Sequence, residues 1–113
     1  MTLRITHLSL GVSDLGETER FYRDVLGLPV EQRGEDLCVR WSDLVLVFTS
    51  NPPSARGKFH FGFRVSSPQE VDSWAAKLRE KNVRVLGAPT PENGERKFYF
   101  LDPDQYEIVI YSE

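Results

Sequence analysis

The chain repeats itself. Displacing it by 53 residues lays ITHLSLGVSDLGETERFYRDVL over KFHFGFRVSSPQEVDSWAAKLR, so that His7 meets His60 and Val12 meets Val65. A repeat on this scale restricts the fold to two copies of one supersecondary unit. In each copy an alternating, strand-like stretch runs into a helical period. Asp14 followed by Glu17, and Ser67 followed by Pro68 and Glu70, are the N-cap signatures of the two helices. The apolar stripes match as well: Thr18, Phe21, Tyr22 and Val25 align with Val71, Trp74, Ala75 and Leu78, at i, i+3, i+4, i+7 spacing. Gly27 and Asn82, residues that tolerate left-handed backbone, are placed to end the helices.

After each helix the apolar period falls to two, and VEQRGEDLCVRWSDLVLVFTS and RVLGAPTPENGERKFYFLDPDQYEIVIYS each hold about three strands. The copies now align at an offset of 61 before the last turn, pairing Cys38 with Tyr99, and of 62 after it, pairing Val47 with Val109. The expected fold is therefore α+β, with two tandem βαβββ modules. Module one covers residues 1–50 and module two residues 58–113, joined by a Pro-, Ser- and Gly-bearing linker at 51–57. A length of 113 residues fits one domain and one modest core.

Strand alternation sorts the side chains onto two faces. One parity is apolar throughout: Leu8, Leu10, Val12; Leu37, Val39, Trp41; Leu44, Leu46, Phe48; Phe59, Phe61, Phe63; Phe98, Phe100; Tyr106, Ile108, Ile110. This face is expected under the helices. The other parity is mixed: His7, Ser9, Gly11; Cys38, Arg40; Val45, Val47; His60, Gly62, Arg64; Lys97, Tyr99; Gln105, Glu107, Val109. Such a surface is costly to bury dry and suited to lining a cavity that meets water and a ligand.

The formal charge of −3, with no run of Lys or Arg longer than two, lacks the footprint of a nucleic-acid or anionic-membrane binder. No apolar stretch approaches the roughly 20 residues of a membrane span. One cysteine, Cys38, forms no internal disulfide, and the first ten residues alternate like a strand rather than a signal peptide. These features predict a cytoplasmic protein whose partner is a small molecule or another protein.

Paired βαβββ modules, with THLSLGVSDL on the first strand, FYRDVLGL closing the first helix, FHFGFRV opening the second module and FYFLDPDQYEIVIY at the end, resemble the vicinal oxygen chelate superfamily. That superfamily includes glyoxalase I, extradiol dioxygenases, fosfomycin-resistance transferases and bleomycin-resistance proteins. The resemblance covers essentially the whole chain. It implies a curled mixed-sheet cup with helices on its outer face, a homodimer, and, in the metal-dependent members, one divalent ion such as Zn, Ni, Mn or Fe. The family's four ligand positions map onto His7, Val47, His60 and Val109. Both carboxylate positions are thus valine, and Glu107 lies two residues before the second.

Three readings follow from this departure. In the first, the cup binds a small anionic or aromatic organic molecule without the full metal site, as bleomycin-resistance proteins do. In the second, His7, His60 and Glu107 hold a metal for a lyase, isomerase, transferase or dioxygenase acting on vicinal oxygens. In the third, the chain is a catalytically silent accessory subunit of a dimer. No catalytic residue is assigned. The resemblance to fosfomycin-resistance transferases marks Tyr99 and Ser9 as ligand-contacting positions, and Arg40, Arg64 and Lys97 supply positive charge on the same face. Cys38 joins them there as a candidate ligand contact.

Overall fold

The computed structural model describes residues 5–41, 44–52 and 60–113. Phe59, the side chain of Trp41 and residues 53–57 of the expected linker lie outside the described residues. The chain forms two compact units, Met1–Ser54 and Ala55–Glu113. No helix among the described residues is long and apolar enough to cross a membrane.

Unit 1 runs β1 (His7–Gly11), α1 (Leu15–Arg20), β2 (Val30–Arg33), β3 (Asp36–Trp41) and β4 (Leu44–Thr49). The sheet order is β1-β4-β3-β2, with β1 parallel to β4 and the other pairs antiparallel. Asp14 caps α1, its Oδ1 accepting from Glu17 N at 3.0 Å. The expected single α-helix does not continue to Val25, because residues Phe21–Val25 form a π-helical segment. Leu26 N donates to Phe21 O at 3.1 Å, five residues back, and this wider turn moves the apolar stripe forward. Phe21, Tyr22 and Leu26 are buried, whereas Val25 is only half-buried. Tyr22 packs on Phe48 of β4 with ring centroids 4.6 Å apart. Gly27 follows at φ +74°, the left-handed ending its position predicts.

Unit 2 repeats the plan as β5 (His60–Arg64), α2 (Pro68–Glu80), β6 (Val85–Glu92), β7 (Glu95–Leu101) and β8 (Glu107–Ser112), in the order β5-β8-β7-β6. Ser67 Oγ accepts from Glu70 N at 3.3 Å, Pro68 sits in the first turn, and Asn82 takes φ +62° just past the end of α2. Val71, Ala75 and Leu78 are buried; Trp74 is half-buried beneath the Lys77 ammonium, 4.6 Å from its ring. Arg96 of β7 reaches Asp72 of α2 at 2.9 Å. Between β6 and β7 the register shifts, so that Gly87, Ala88 and Pro89 bulge out opposite Phe98.

The apolar parity of each sheet forms its unit's core. Leu10, Val12, Leu37, Val39, Leu46 and Phe48 are buried in unit 1, and Phe98, Phe100, Tyr106, Ile108 and Ile110 in unit 2. Each such side chain contributes on the order of 1.5–3 kcal/mol by leaving water. Phe61 and Phe63 are only half-buried, with ring centroids 6.0 Å apart. Their strand, β5, is at the sheet edge, while α2 lies over β6, β7 and β8. Leu8 is half-buried and Leu44, at the start of β4, is exposed.

Candidate functional site

In unit 1 the strand register brings the mixed-parity residues into rows across the sheet. His7 of β1 pairs with Val45 of β4, which pairs with Arg40 of β3. The next row is Ser9, Val47, Cys38 and Glu31. His7 and Ser9 are exposed, Val45 and Val47 half-buried, and Cys38 buried as a free thiol. Thr6 Oγ1 lies 3.3 Å from His7 Nδ1, which leaves Nε2 as the imidazole nitrogen open to a ligand.

Unit 2 builds the same rows from different chemistry. His60 pairs with Glu107, and Glu107 with Leu101. The second row is Gly62, Val109, Tyr99 and Leu86. The third is Arg64, Tyr111, Lys97 and Thr90. His60 and Tyr99 stand on strands separated by β8, yet their rings meet edge to face at 6.5 Å and 87°. Val109 stands between Gly62 and Tyr99 in the middle row, and a Cβ added to Gly62 would collide with its Cγ1. Tyr99, Glu107 and Val109 are half-buried and His60 is exposed.

The cationic residues are less available than their parity suggests. Lys97 bonds Glu95 at 2.8 Å, and its side chain is only 14% exposed. The hydrogen bond that the ammonium donates to Glu95, aided by the charges of Glu95 and Glu92, holds the Lys97 pKa above the ordinary lysine value. Arg64 pairs with Glu113 at 3.1 Å. Arg40 is exposed.

Gln105 is not on the mixed face, because β8 begins only at Glu107. Gln105 turns at φ +68° in a loop held by Asp102, whose Oδ1 accepts from Asp104 N and Tyr106 N, each at 2.9 Å. Five residues of these rows, Glu31, Leu86, Thr90, Leu101 and Tyr111, are absent from the mixed-parity list. Tyr111 continues the Glu107 and Val109 alternation and was findable by extending it; Leu101 continues the Lys97 and Tyr99 alternation likewise. Leu86 reaches Tyr99 only through the register that precedes the β6 bulge, which leaves no clear sequence mark.

At the positions that the family resemblance gives to metal ligands, a divalent ion would meet His7, Val47, His60 and Val109. The complete four-ligand arrangement does not fit: Val47 and Val109 offer no donor atom, and Val109 is packed on Gly62. Among the described residues no three His, Cys, Asp or Glu side chains gather into a metal-binding group. His60 and Glu107 do face each other as a cross-strand pair.

A family model described as "Glyoxalase/Bleomycin resistance protein/Dioxygenase superfamily" matches residues 4–110. A manganese-dependent 2,3-dihydroxybiphenyl 1,2-dioxygenase of Geobacillus genomosp. 3 is 30% identical over 93% of this chain, which spans about a third of that enzyme, 35% of its length. A metallothiol transferase FosB of Staphylococcus epidermidis is 27% identical over 96% of this chain and 82% of its own. Among solved structures, the fosfomycin resistance protein FosX of Listeria monocytogenes superposes with a TM-score of 0.85 at 20% identity, covering 100% of this chain and 95% of that one. At that identity the likeness concerns the fold.

Proposed function

Because the chain belongs to the glyoxalase/bleomycin resistance protein/dioxygenase superfamily, we propose that it binds a small organic molecule in the sheet cup, without the complete metal site of its metal-dependent relatives. One observation carries this reading: the second carboxylate position is held by Val109, seated between Gly62 and Tyr99, so hydrocarbon occupies the place of a metal donor. Ser9, Cys38, Arg40, Arg64, Lys97 and Tyr99 are the proposed lining residues, with His7 and His60 acting as hydrogen-bonding groups. The protein is proposed to work in the cytoplasm as a homodimer, consistent with its single free cysteine.

A metal-dependent lyase, isomerase, transferase or dioxygenase is the second reading, and the His60–Glu107 register favours it. It rests on a reduced donor set of His7, His60 and Glu107, two neutral imidazoles and one carboxylate. The relatives named for manganese and for metallothiol chemistry support keeping it.

Metal analysis and melting curves on the full chain separate these readings. The first expects less than about 0.1 divalent ion per chain after purification without chelators, and no melting shift beyond that of a His60→Ala variant when Zn, Ni, Mn or Fe is added. A stoichiometric ion lost on His60→Ala substitution overturns it in favour of the metal enzyme. A protein stabilised neither by metals nor by any member of a broad small-molecule screen is instead the accessory dimer subunit.

A further inference from the structure

The mixed-parity rows of unit 2 contain a polar group that bears on what could bind there. Glu107 is half-buried, and among the described residues its carboxylate makes no hydrogen bond or ion pair. Its cross-strand neighbours are His60 and Leu101, and Val109 follows two residues along the same face. A carboxylate that stands beside hydrocarbon without a partner offers an open acceptor to an approaching donor. The nearby cations do not supply that donor: the Lys97 ammonium is bound to Glu95 and the Arg64 guanidinium to Glu113. Beside Glu107 runs the row Gly62, Val109, Tyr99 and Leu86, apolar but for the tyrosine hydroxyl, with Leu86 40% exposed.

We infer that unit 2 selects a neutral or cationic organic molecule that lays an apolar or aromatic body on Val109, Tyr99 and Leu86 and presents an N–H or O–H donor to Glu107. This rests on the proposal that the chain binds an organic molecule, and it narrows that proposal. An anionic group placed at the same point would meet the Glu107 carboxylate, while both basic side chains of unit 2's third row are already engaged by acidic partners. An ammonium or hydroxyl would instead gain a charge-assisted bond.

The test uses three probes that share a phenyl ring: phenethylamine, 2-phenylethanol and 3-phenylpropionate. Each is titrated into the isotope-labelled full chain in the presence of EDTA, and backbone amide shifts are followed. Phenethylamine is expected to move the amides of Gly62, Leu86, Tyr99, Glu107 and Val109, and to bind at least about fivefold more tightly than 3-phenylpropionate. In Glu107→Gln the two affinities should converge to within about twofold, since the amide retains the shape and loses the charge. The phenylethanol affinity, which does not depend on opposite charge, reports whether the variant's apolar row is intact. Tighter binding of 3-phenylpropionate at those amides, or a preference unchanged in Glu107→Gln, overturns the inference and leaves organic-ligand binding standing. If no probe moves those amides, the inference falls, and the broad small-molecule screen decides the reading on which it rests.

Discussion

Val109 lies across the backbone of Gly62. The two residues are register partners on β8 and β5, and a Cβ at position 62 would collide with the valine Cγ1 and stand 3.0 Å from its carbonyl oxygen. Gly62→Ala is therefore expected to cost about 1–3 kcal/mol through overpacking. Combining it with Val109→Ala should recover much of that loss, giving a coupling energy of about 0.5–3 kcal/mol in a double-mutant cycle. Urea unfolding of the four proteins measures it, and additive single effects would show that the sheet relaxes around the extra methyl.

The same valine controls metal chemistry under the proposed reading. Val109→Glu restores a carboxylate at the position the family uses for a ligand. The variant is expected to show a larger Mn²⁺-induced rise in melting temperature, relative to EDTA, than the parent chain. Equal shifts in the two proteins would mean that Val109 is not what limits the site.

Helix capping gives a prediction independent of function. Ser67→Ala removes the Oγ that accepts from Glu70 N, and should destabilise the protein by about 1 kcal/mol. Asp14→Asn keeps an acceptor for Glu17 N and should cost less than Asp14→Ala. Chemical denaturation curves of the three variants check the order.

The Lys97–Glu95 pair predicts a particular alkaline behaviour. Pairing with Glu95 raises the Lys97 pKa above its ordinary 10.5. A raised folded-state value means that the pair's stabilisation is fully present below pH 10.5 and is lost as pH climbs through the folded value. The stability difference between the parent chain and Glu95→Gln should thus be constant from about pH 7 to 9.5 and shrink above about 10.5. A difference that grows in alkali would contradict the assignment.

Much of this architecture is written in the repeat. The offset of 53 that aligns His7 with His60, and those of 61 and 62 that align Cys38 with Tyr99 and Val47 with Val109, reappear as matching rows: Ser9, Val47, Cys38 and Gly62, Val109, Tyr99. Such offsets are legible because a slip of one residue would turn every apolar side chain to the wrong face. The π-helical turn at Phe21–Val25 was not legible, since its stripe differs from an α-helical one by the burial of a single residue, Leu26 in place of Val25. Nor was the charge state of the site. Parity shows that Lys97 and Arg64 share a face with Tyr99, but their engagement by Glu95 and Glu113 depends on side-chain reach. Glu107 could be named in advance as a residue of the mixed face; that it stands directly opposite His60 required the strand register.

The bulge in β6 has a bearing on how copies of this protein can associate. An edge strand of eight residues would ordinarily offer a template on which a second molecule could grow a continuous ribbon. Here Gly87 turns the backbone at φ +89°, and Pro89 and Pro91 remove amide hydrogens from the strand. That rim is therefore a poor seed for a fibre.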